Sequence, residues 1–166
     1  MSNRRKAHYE QEFDRKSQAQ KDLNITSDLL KWDDLPHWQR HNEHILTGYR
    51  PASNSLLASL SSTLTIHNET LNIHSHLFGS LLFLVLWLTA CRSMPLHSPD
   101  FAVLTIFFLG VSTCFALSAT FHVFCNHSPR INVLGNQLDY IGIMVLMWGS
   151  TVPSVYYGFI CDPKLQ

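Results

Sequence analysis

Three long apolar stretches occupy most of the second half of the chain. They cover residues 71–91, 101–121 and 140–160, and none of them contains Asp, Glu, Lys or Arg. A helix rises about 1.5 Å per residue, so each stretch matches the roughly 30 Å hydrocarbon core of a bilayer. Helices of soluble proteins normally keep a polar face, which makes three buried soluble helices the weaker alternative. The pattern predicts an all-α integral membrane protein with three transmembrane helices.

The first part of the chain has a different pattern. Residues 1–30 hold many charges and few apolar side chains, too few to offset the entropy of ordering, so a disordered tail is predicted. Residues 31–67 form a juxtamembrane segment. Within it, residues 55–65 place four leucines on one stripe: Leu56, Leu57, Leu60 and Leu64. This pattern predicts a short amphipathic helix on the inner membrane surface, with a soluble helix packed on the cytoplasmic face of the bundle as the alternative.

The basic residues are distributed unevenly along the chain and indicate its orientation. Nine of the 12 Lys and Arg residues precede the first apolar stretch, while the formal net charge is zero. The balanced charge gives no global basic field for binding nucleic acid. By the positive-inside rule, residues 1–67 are predicted to lie in the cytoplasm and residues 161–166 outside. The four cysteines lack CxxC spacing, so no disulfide framework is predicted.

Polar side chains lie at the facing ends of the second and third apolar stretches. Ser118 and His122 are four residues apart and share one helix face, and Asp139 directly precedes the third stretch. The link over residues 126–138 is short enough to make them neighbours at the cytoplasmic end. Because an ionisable group at a membrane helix end is costly to bury, these residues indicate a functional site. A histidine with a carboxylate can bind a metal or transfer a proton.

Each of these residues also has a purely structural interpretation. Asp139 could cap the third helix and complement its dipole. Ser118 could donate to the carbonyl four residues earlier, and His122 could be a satisfied core histidine. A different metal set, formed by His122, Cys125 and His127, is also compatible with the spacing.

Polar residues also surround the start of the first apolar stretch. Asn68 is predicted to cap this helix, with Glu69 favoured by the dipole in its first turn. His74 and His76 are two residues apart and therefore face different directions, so we interpret them as interfacial or interhelical polar residues.

Four motifs, in this order and spacing, identify a family. They are LPHWQRHNEHILTGYRP (35–51), IHNETLNIHSHLFG (66–79), SATFH (118–122) followed by Cys125, His127 and Ser128, and LDYIGI (138–143). From about residue 32 to its end, the chain resembles the progestin and adiponectin Q receptor family, also called the hemolysin III related family. Within that family it is most similar to the adiponectin receptor branch and its fungal zinc-homeostasis relatives.

The resemblance implies a seven-helix membrane protein with a cytoplasmic amino terminus, of which residues 68–166 form the first part. It also implies zinc near the cytoplasmic face, bound by one histidine of the second helix and two of an HxxxH motif in the last. Carried onto this chain, His122 is a zinc ligand, Asp139 contacts zinc through a water molecule, and Ser118 could polarise a substrate carbonyl. Zinc with three protein ligands and a water is the arrangement of catalytic sites.

The chain departs from the family pattern after the third span. It ends at CDPKLQ, and no HxxxH motif follows, so it resembles a truncated member. We therefore expect these 166 residues to bind zinc weakly at best and not to hydrolyse a lipid alone.

The resemblance leaves three functions open. One is a receptor in lipid- or zinc-linked signalling, another is a zinc-dependent, ceramidase-like lipid amide hydrolase, and the third, for the isolated chain, is an inactive membrane fragment. The implied partners are the lipid bilayer and a sphingolipid or other lipid ligand. A homo-oligomer, and the choice between the plasma membrane and the endoplasmic reticulum or Golgi, stay open.

Overall fold

Three long helices account for most of the computed structural model, which describes residues 29–162. A short helix, α1 (Leu56–Ser61), precedes α2 (Thr70–Ser93), α3 (Pro99–Phe124) and α4 (Pro129–Gly158). The three long helices are each long and apolar enough to cross a membrane. The only β-type pairing in the described residues is one isolated antiparallel bridge. The all-α membrane architecture is confirmed, while nearly all of the tail predicted to be disordered, residues 1–30, lies outside the described residues.

The helix α4 begins earlier than the apolar pattern predicts. The predicted span starts at Tyr140 after a link over 126–138, whereas the helix already begins at Pro129. Proline suits the first helical turn because its φ is already helical and its missing N–H would have no intrahelical partner there. Only residues 125–128 connect α3 to α4. The first turns of α4 are polar, so apolarity alone did not identify them as helix.

The helices α3 and α4 approach each other closely at two glycines of α4. A Cβ atom on Gly142 would lie 3.1 Å from the Cα atom of Cys114, and one on Gly149 would lie 3.1 Å from the carbonyl oxygen of Ile106. Both neighbours are backbone atoms, which cannot rotate away. Small residues that permit such backbone contact are typical of membrane helix interfaces, where dispersion contacts replace the hydrophobic effect as the source of association.

Polar side chains join α2 to α3. Ser80 Oγ donates to the carbonyl oxygen of Ser112 at 3.0 Å, and Ser112 Oγ donates to the carbonyl oxygen of Ser80 at 2.9 Å. Farther along, Trp87 Nε1 donates to Thr105 Oγ1 at 3.1 Å. Such interhelical hydrogen bonds satisfy polar groups that would otherwise face hydrocarbon. They fix the register in which α2 presents its first turn to the end of α3.

The juxtamembrane segment packs across the end of α3 through backbone contacts. Ser53 N donates to the carbonyl oxygen of Asn126 at 3.0 Å, and Asn54 N donates to that of His127 at 2.9 Å. In return, Asn126 Nδ2 donates to the carbonyl oxygen of Pro51 at 3.0 Å. Two of these bonds use main-chain oxygens of the α3–α4 connection and the third uses the side chain of Asn126, so together they hold that connection in place.

The helix α1 presents its apolar side outward. It lies within the predicted range 55–65 and continues as a 3₁₀ turn to Leu64. Leu57 and Leu64 are 76% and 87% exposed, whereas Ser59 and Ser62 are 0% and 2% exposed. A soluble helix packed on the bundle would bury the leucines instead. The arrangement favours the membrane-surface interpretation of this helix.

Candidate functional site

The guanidinium of Arg50 is buried against the last turn of α3. Its Nη2 donates to the carbonyl oxygen of His122 at 2.6 Å, and its Nη1 donates to that of Val123 at 3.0 Å. Nη1 also donates to Ser62 Oγ at 2.8 Å, and Arg50 is only 4% exposed. The last carbonyls of a helix have no intrahelical partner and carry its negative dipole end. Arg50 therefore satisfies and neutralises the end of α3 at the residue predicted to bind zinc.

Burial changes the acid–base properties of the groups around Arg50. Desolvation lowers the pKa of the Arg50 guanidinium, an effect opposed by Cys125 and Glu69; arginine nevertheless stays charged because its ordinary pKa is so high. Burial raises the pKa of the Cys125 thiol to about 11 although Arg50 acts to lower it. A metal binds the thiolate and must displace the thiol proton, and the raised pKa of Cys125 makes that displacement more costly.

The side chain of His122 is hydrogen bonded to an acidic residue that precedes α2. Its Nδ1 lies 2.8 Å from Glu69 Oε2, and the two side chains are 17% and 19% exposed. This is the only side-chain hydrogen bond of His122 within residues 29–162. Histidines that bind metals usually contact a carboxylate or carbonyl through their other ring nitrogen. The contact therefore has the form of a metal-binding histidine with its supporting carboxylate.

The carboxylate of Glu69 is oriented by two amides as well. Asn68 Nδ2 donates to Oε1 at 2.7 Å, and Asn72 Nδ2 donates to Oε2 at 2.8 Å. Burial acts to raise the pKa of the Glu69 carboxyl, but the hydrogen bonds from His122 and Asn72 and the attraction of Arg50 outweigh it, so this pKa lies below its ordinary value. Glu69 is therefore ionised at neutral pH. The prediction that Asn68 caps α2 is wrong, because Glu69 occupies the cap position and neither side chain makes the capping bond.

A second histidine faces His122 from α2. The ring centroids of His76 and His122 are 5.5 Å apart with a steep interplanar angle of 70°. His76 also stacks obliquely on Phe115, and its Nδ1 is buried without a hydrogen-bond partner. The interpretation of His76 as an interhelical polar residue is confirmed. Its Nδ1 is thus a buried polar atom beside His122 whose hydrogen bond is not made within the described residues.

Asp139 and Ser118 lie on facing surfaces of α4 and α3. A Cβ on Gly135 would contact Phe121, and one on Gly142 would contact Cys114, so this face of α4 packs on α3. On α4, Asp139 is four residues after Gly135 and three before Gly142, so it shares their face. On α3, Ser118 is four residues after Cys114 and three before Phe121, so it lies on the face that α4 contacts.

Two further observations describe these side chains. Ser118 is buried, and Asp139 interacts electrostatically with His76 and Cys114. No hydrogen bond joins Asp139 to His122 within the described residues.

The alternative of Asp139 as a helix cap is wrong. Asp139 lies ten residues after Pro129, the first residue of α4, and Ser128 occupies the cap position. The carboxylate is therefore inside a continuous helix, beyond the terminal N–H groups that a cap would satisfy. This excludes helix capping as the explanation for the Asp139 carboxylate.

The alternative metal set of His122, Cys125 and His127 is not assembled. Cys125 Sγ contacts the carbonyl oxygen of His122, and His127 Nδ1 is 3.0 Å from Ser128 Oγ. More generally, no three His, Cys, Asp or Glu side chains within residues 29–162 are placed so that they could hold a metal ion.

A small cavity lies next to Glu69. It measures about 40 Å³ and is lined by Arg50, Glu69 and Asn126 among others, which is room for about three water molecules. Two buried lining atoms, Gln39 Oε1 and Asn126 Oδ1, have no hydrogen-bond partner. The amide nitrogens of both residues donate to backbone carbonyls, which fixes their oxygens as the unpartnered acceptors. These two oxygens can accept hydrogen bonds from water.

His67 is a buried neutral imidazole beside this cluster. Its Nδ1 accepts a hydrogen bond from Glu69 N at 3.0 Å. Burial lowers the pKa of His67 to about 4, with repulsion from Arg50 as the second cause and attraction to Glu69 opposing both. Its role at neutral pH is therefore to cap the turn before α2 rather than to carry charge.

The sequence predicts His122, Ser118 and Asp139 as site residues, but the contacts of Arg50 and Glu69 were not predicted from it. The side chain of Glu69 reaches a partner 53 residues away, and Arg50 reaches the carbonyl oxygen of a residue 72 positions away. Arg50 lies in the motif at 35–51 and Glu69 in the motif at 66–79. Their place in these motifs is the one sequence signal that could have indicated a role for them.

The chain has relatives among known membrane proteins. A sequence profile described as Haemolysin-III related matches residues 64–166. The chain is 38% identical over 135 residues to the ADIPOR-like receptor IZH2 of Saccharomyces cerevisiae, covering 79% of this chain and 43% of that protein. It is 36% identical over 141 residues to the adiponectin receptor protein of Drosophila melanogaster, covering 82% and 32%. It is also 32% identical over 146 residues to heptahelical transmembrane protein 1 of Arabidopsis thaliana, covering 82% and 44%. The chain thus spans about a third to less than half of these curated relatives.

Proposed function

The chain belongs to the haemolysin-III related family of multi-pass membrane proteins, and on that premise we propose that it forms the first part of a zinc-containing membrane receptor. Relatives named as receptors support the receptor role. The observation that carries the zinc site is the contact between His122 Nδ1 and the Glu69 carboxylate. It leaves the other ring nitrogen of His122 without a protein partner in the described residues, as a metal ligand requires.

The residues of this chain fit one part of a zinc site. His122 would supply one ligand, and the Nδ1 of His76 beside it is a buried polar group without a hydrogen-bond partner. The remaining ligands are expected from the HxxxH motif that the resemblance implies. Bound zinc would act as a Lewis acid that polarises an oxygen atom and lowers the pKa of water. Asp139 would accept a hydrogen bond from that water, and Ser118 would donate a hydrogen bond to the carbonyl oxygen of a substrate.

Removing the imidazole of His122 should remove the zinc. The material for this test is the chain joined to the remainder of the yeast relative beyond the matched region. We expect about one zinc per protein after purification, and less than a tenth of that in His122→Ala, because losing one of three protein ligands leaves too few to retain the ion. Metal analysis by mass spectrometry measures both. Asp139→Ala should retain most of the zinc, because Asp139 is expected to contact water rather than the ion.

The matched control is His97→Ala, an exposed histidine in the α2–α3 connection, which should leave the zinc content unchanged. Zinc retained in His122→Ala would contradict the assignment. Stoichiometric zinc in the 166-residue chain itself, lost on Cys125→Ala or His127→Ala, would show that the local His-Cys-His set is the site.

The orientation of the chain follows from its charges. We propose that residues 1–67 lie in the cytoplasm, because nine Lys and Arg residues precede α2 and a single one, Arg92, lies in the last turn of α2 at its other end. In sealed cells, a tag at Ser2 should be protected from added protease, and a tag at Gln166 should be digested. Detergent-opened cells should lose both tags, which verifies that each is cleavable. The reverse protection pattern would place His122 and Glu69 at the outer face.

A lipid amide hydrolase is the second candidate, and one observation favours it. Ser118 is buried one turn from His122 and faces the helix surface that carries Asp139, so a hydroxyl lies near the proposed zinc ligand and a carboxylate lies on the facing helix. The test uses the chain joined to the remainder of the yeast relative and measures the release of a fatty acid from a ceramide. Release that is lost in both His122→Ala and Asp139→Ala would identify an enzyme. Zinc-loaded protein without such release would support the receptor alone.

A further inference from the structure

The proton between His122 and Glu69 can be assigned from the surroundings of the carboxylate. Glu69 Oε1 and Oε2 each accept a hydrogen bond from an asparagine amide, at 2.7 and 2.8 Å, which stabilises the ionised form. An ionised carboxylate has no hydrogen to donate. The hydrogen in the 2.8 Å contact therefore belongs to Nδ1 of His122. In the neutral imidazole, Nε2 must then be the unprotonated nitrogen.

We propose that Glu69 is a positioning residue that selects the Nδ1–H tautomer of His122 and so keeps Nε2 as an open donor atom for a metal. The tautomer itself depends only on residues of this chain. Its consequence for zinc rests on the function proposed above.

Both ends of this contact are held from other directions. Arg50 fixes the backbone of His122 through its carbonyl oxygen at 2.6 Å, while Asn68 and Asn72 fix the Glu69 carboxylate. His76 limits rotation of the imidazole from the α2 side, with ring centroids 5.5 Å apart. An imidazole restrained in this way does not have to be ordered when a metal binds, which lowers the entropic cost of binding.

Nitrogen NMR of the 166-residue chain in lipid nanodiscs, labelled with ¹⁵N-histidine at neutral pH, measures the tautomer directly and without metal. We expect the His122 spectrum to show a protonated Nδ1 and an unprotonated Nε2, and Glu69→Ala to give mainly Nε2–H or a mixture. His122→Gln assigns the signals. A wild-type His122 in the Nε2–H form, or protonated at both nitrogens, would overturn the proposal without reference to any variant.

Two controls separate loss of the carboxylate from general disruption. Asn72→Ala removes a neighbour that contacts Glu69 but not His122, and it should retain the Nδ1–H tautomer. Glu43→Ala removes an exposed carboxylate of the juxtamembrane segment and should leave the His122 spectrum unchanged. If Asn72→Ala altered the His122 spectrum as much as Glu69→Ala does, the carboxylate would not be the selecting group.

The zinc arm uses the chain joined to the remainder of the yeast relative and Zn²⁺ in competition with a chelator. Glu69→Ala should weaken zinc binding about 10–100-fold, the usual effect of removing a supporting carboxylate. An unchanged zinc affinity would overturn the positioning role. If the wild-type protein binds no zinc while the tautomer is as expected, the proposed function fails and the tautomer assignment survives, so the two failures are distinguishable.

Discussion

Replacing Arg50 with alanine is expected to lower the free energy of unfolding by about 3–5 kcal/mol. Arg50 is 4% exposed and donates to the carbonyl oxygens of His122 and Val123 and to Ser62 Oγ. Alanine would remove these three hydrogen bonds from buried acceptors, at about 1–3 kcal/mol each before relaxation. Titration with sodium dodecyl sulfate in mixed micelles, followed by tryptophan fluorescence, measures the change.

Arg50→Lys tests the geometry of the interaction rather than its charge. A lysine ammonium is a compact charge and cannot reproduce the planar fork that reaches two carbonyls at once, so about half of the loss should remain. The matched control is Arg130→Ala, which removes an exposed arginine near the same end of the bundle and should cost less than about 0.5 kcal/mol. Equal stabilities of Arg50→Ala and Arg130→Ala would refute the role assigned to Arg50.

Valine at Gly142 should lower the free energy of unfolding by about 2–3 kcal/mol, because overpacking a close interface forces a backbone shift. The first added atom would lie 3.1 Å from the Cα atom of Cys114 and 3.3 Å from its carbonyl oxygen, and neither can move without α3. The same titration measures the effect. The shift should also displace Asp139, three residues earlier on α4.

Gly158 provides a control on the same helix, because nothing lies within 4 Å of the position of its Cβ atom. Gly158→Val adds the same β-branched side chain with the same helix propensity. We expect it to change stability by less than about 0.5 kcal/mol. Comparable losses at Gly142 and Gly158 would mean that α3 and α4 do not approach as closely as described.

The helices were predictable because the bilayer imposes one rule on all of them. The spans predicted at 71–91 and 101–121 differ by only a few residues from α2 (Thr70–Ser93) and α3 (Pro99–Phe124), since apolar length decides what can cross hydrocarbon. The start of α4 was wrong by 11 residues, because the helix continues past the apolar stretch into a polar one. Backbone hydrogen bonding favours helix there without any apolar requirement.

The candidate site was only partly predictable. Ser118, His122 and Asp139 are unusual for their surroundings, and that makes them visible in a sequence. Glu69 is not unusual, since an acidic residue at a helix start has an adequate local explanation. Its contact with His122 depends on the register of α2 against α3, which the reciprocal Ser80 and Ser112 bonds fix. No local pattern encodes that register.

The contact between Arg50 and α3 also constrains how the protein is made. Arg50 leaves the ribosome 73 residues before its partner Val123, and at about 5–20 residues per second the delay is about 4–15 s. Through that interval the guanidinium has no helix end to bind and stays hydrated, while α2 and α3 enter the bilayer one after the other. The side chain that finally closes the end of α3 is thus first available as a free positive charge beside the entering α2, where, in the orientation proposed above, it would add to the charge that retains the amino terminus in the cytoplasm. In that orientation, one residue would contribute to the direction of insertion early in synthesis and complete the folded structure at its end.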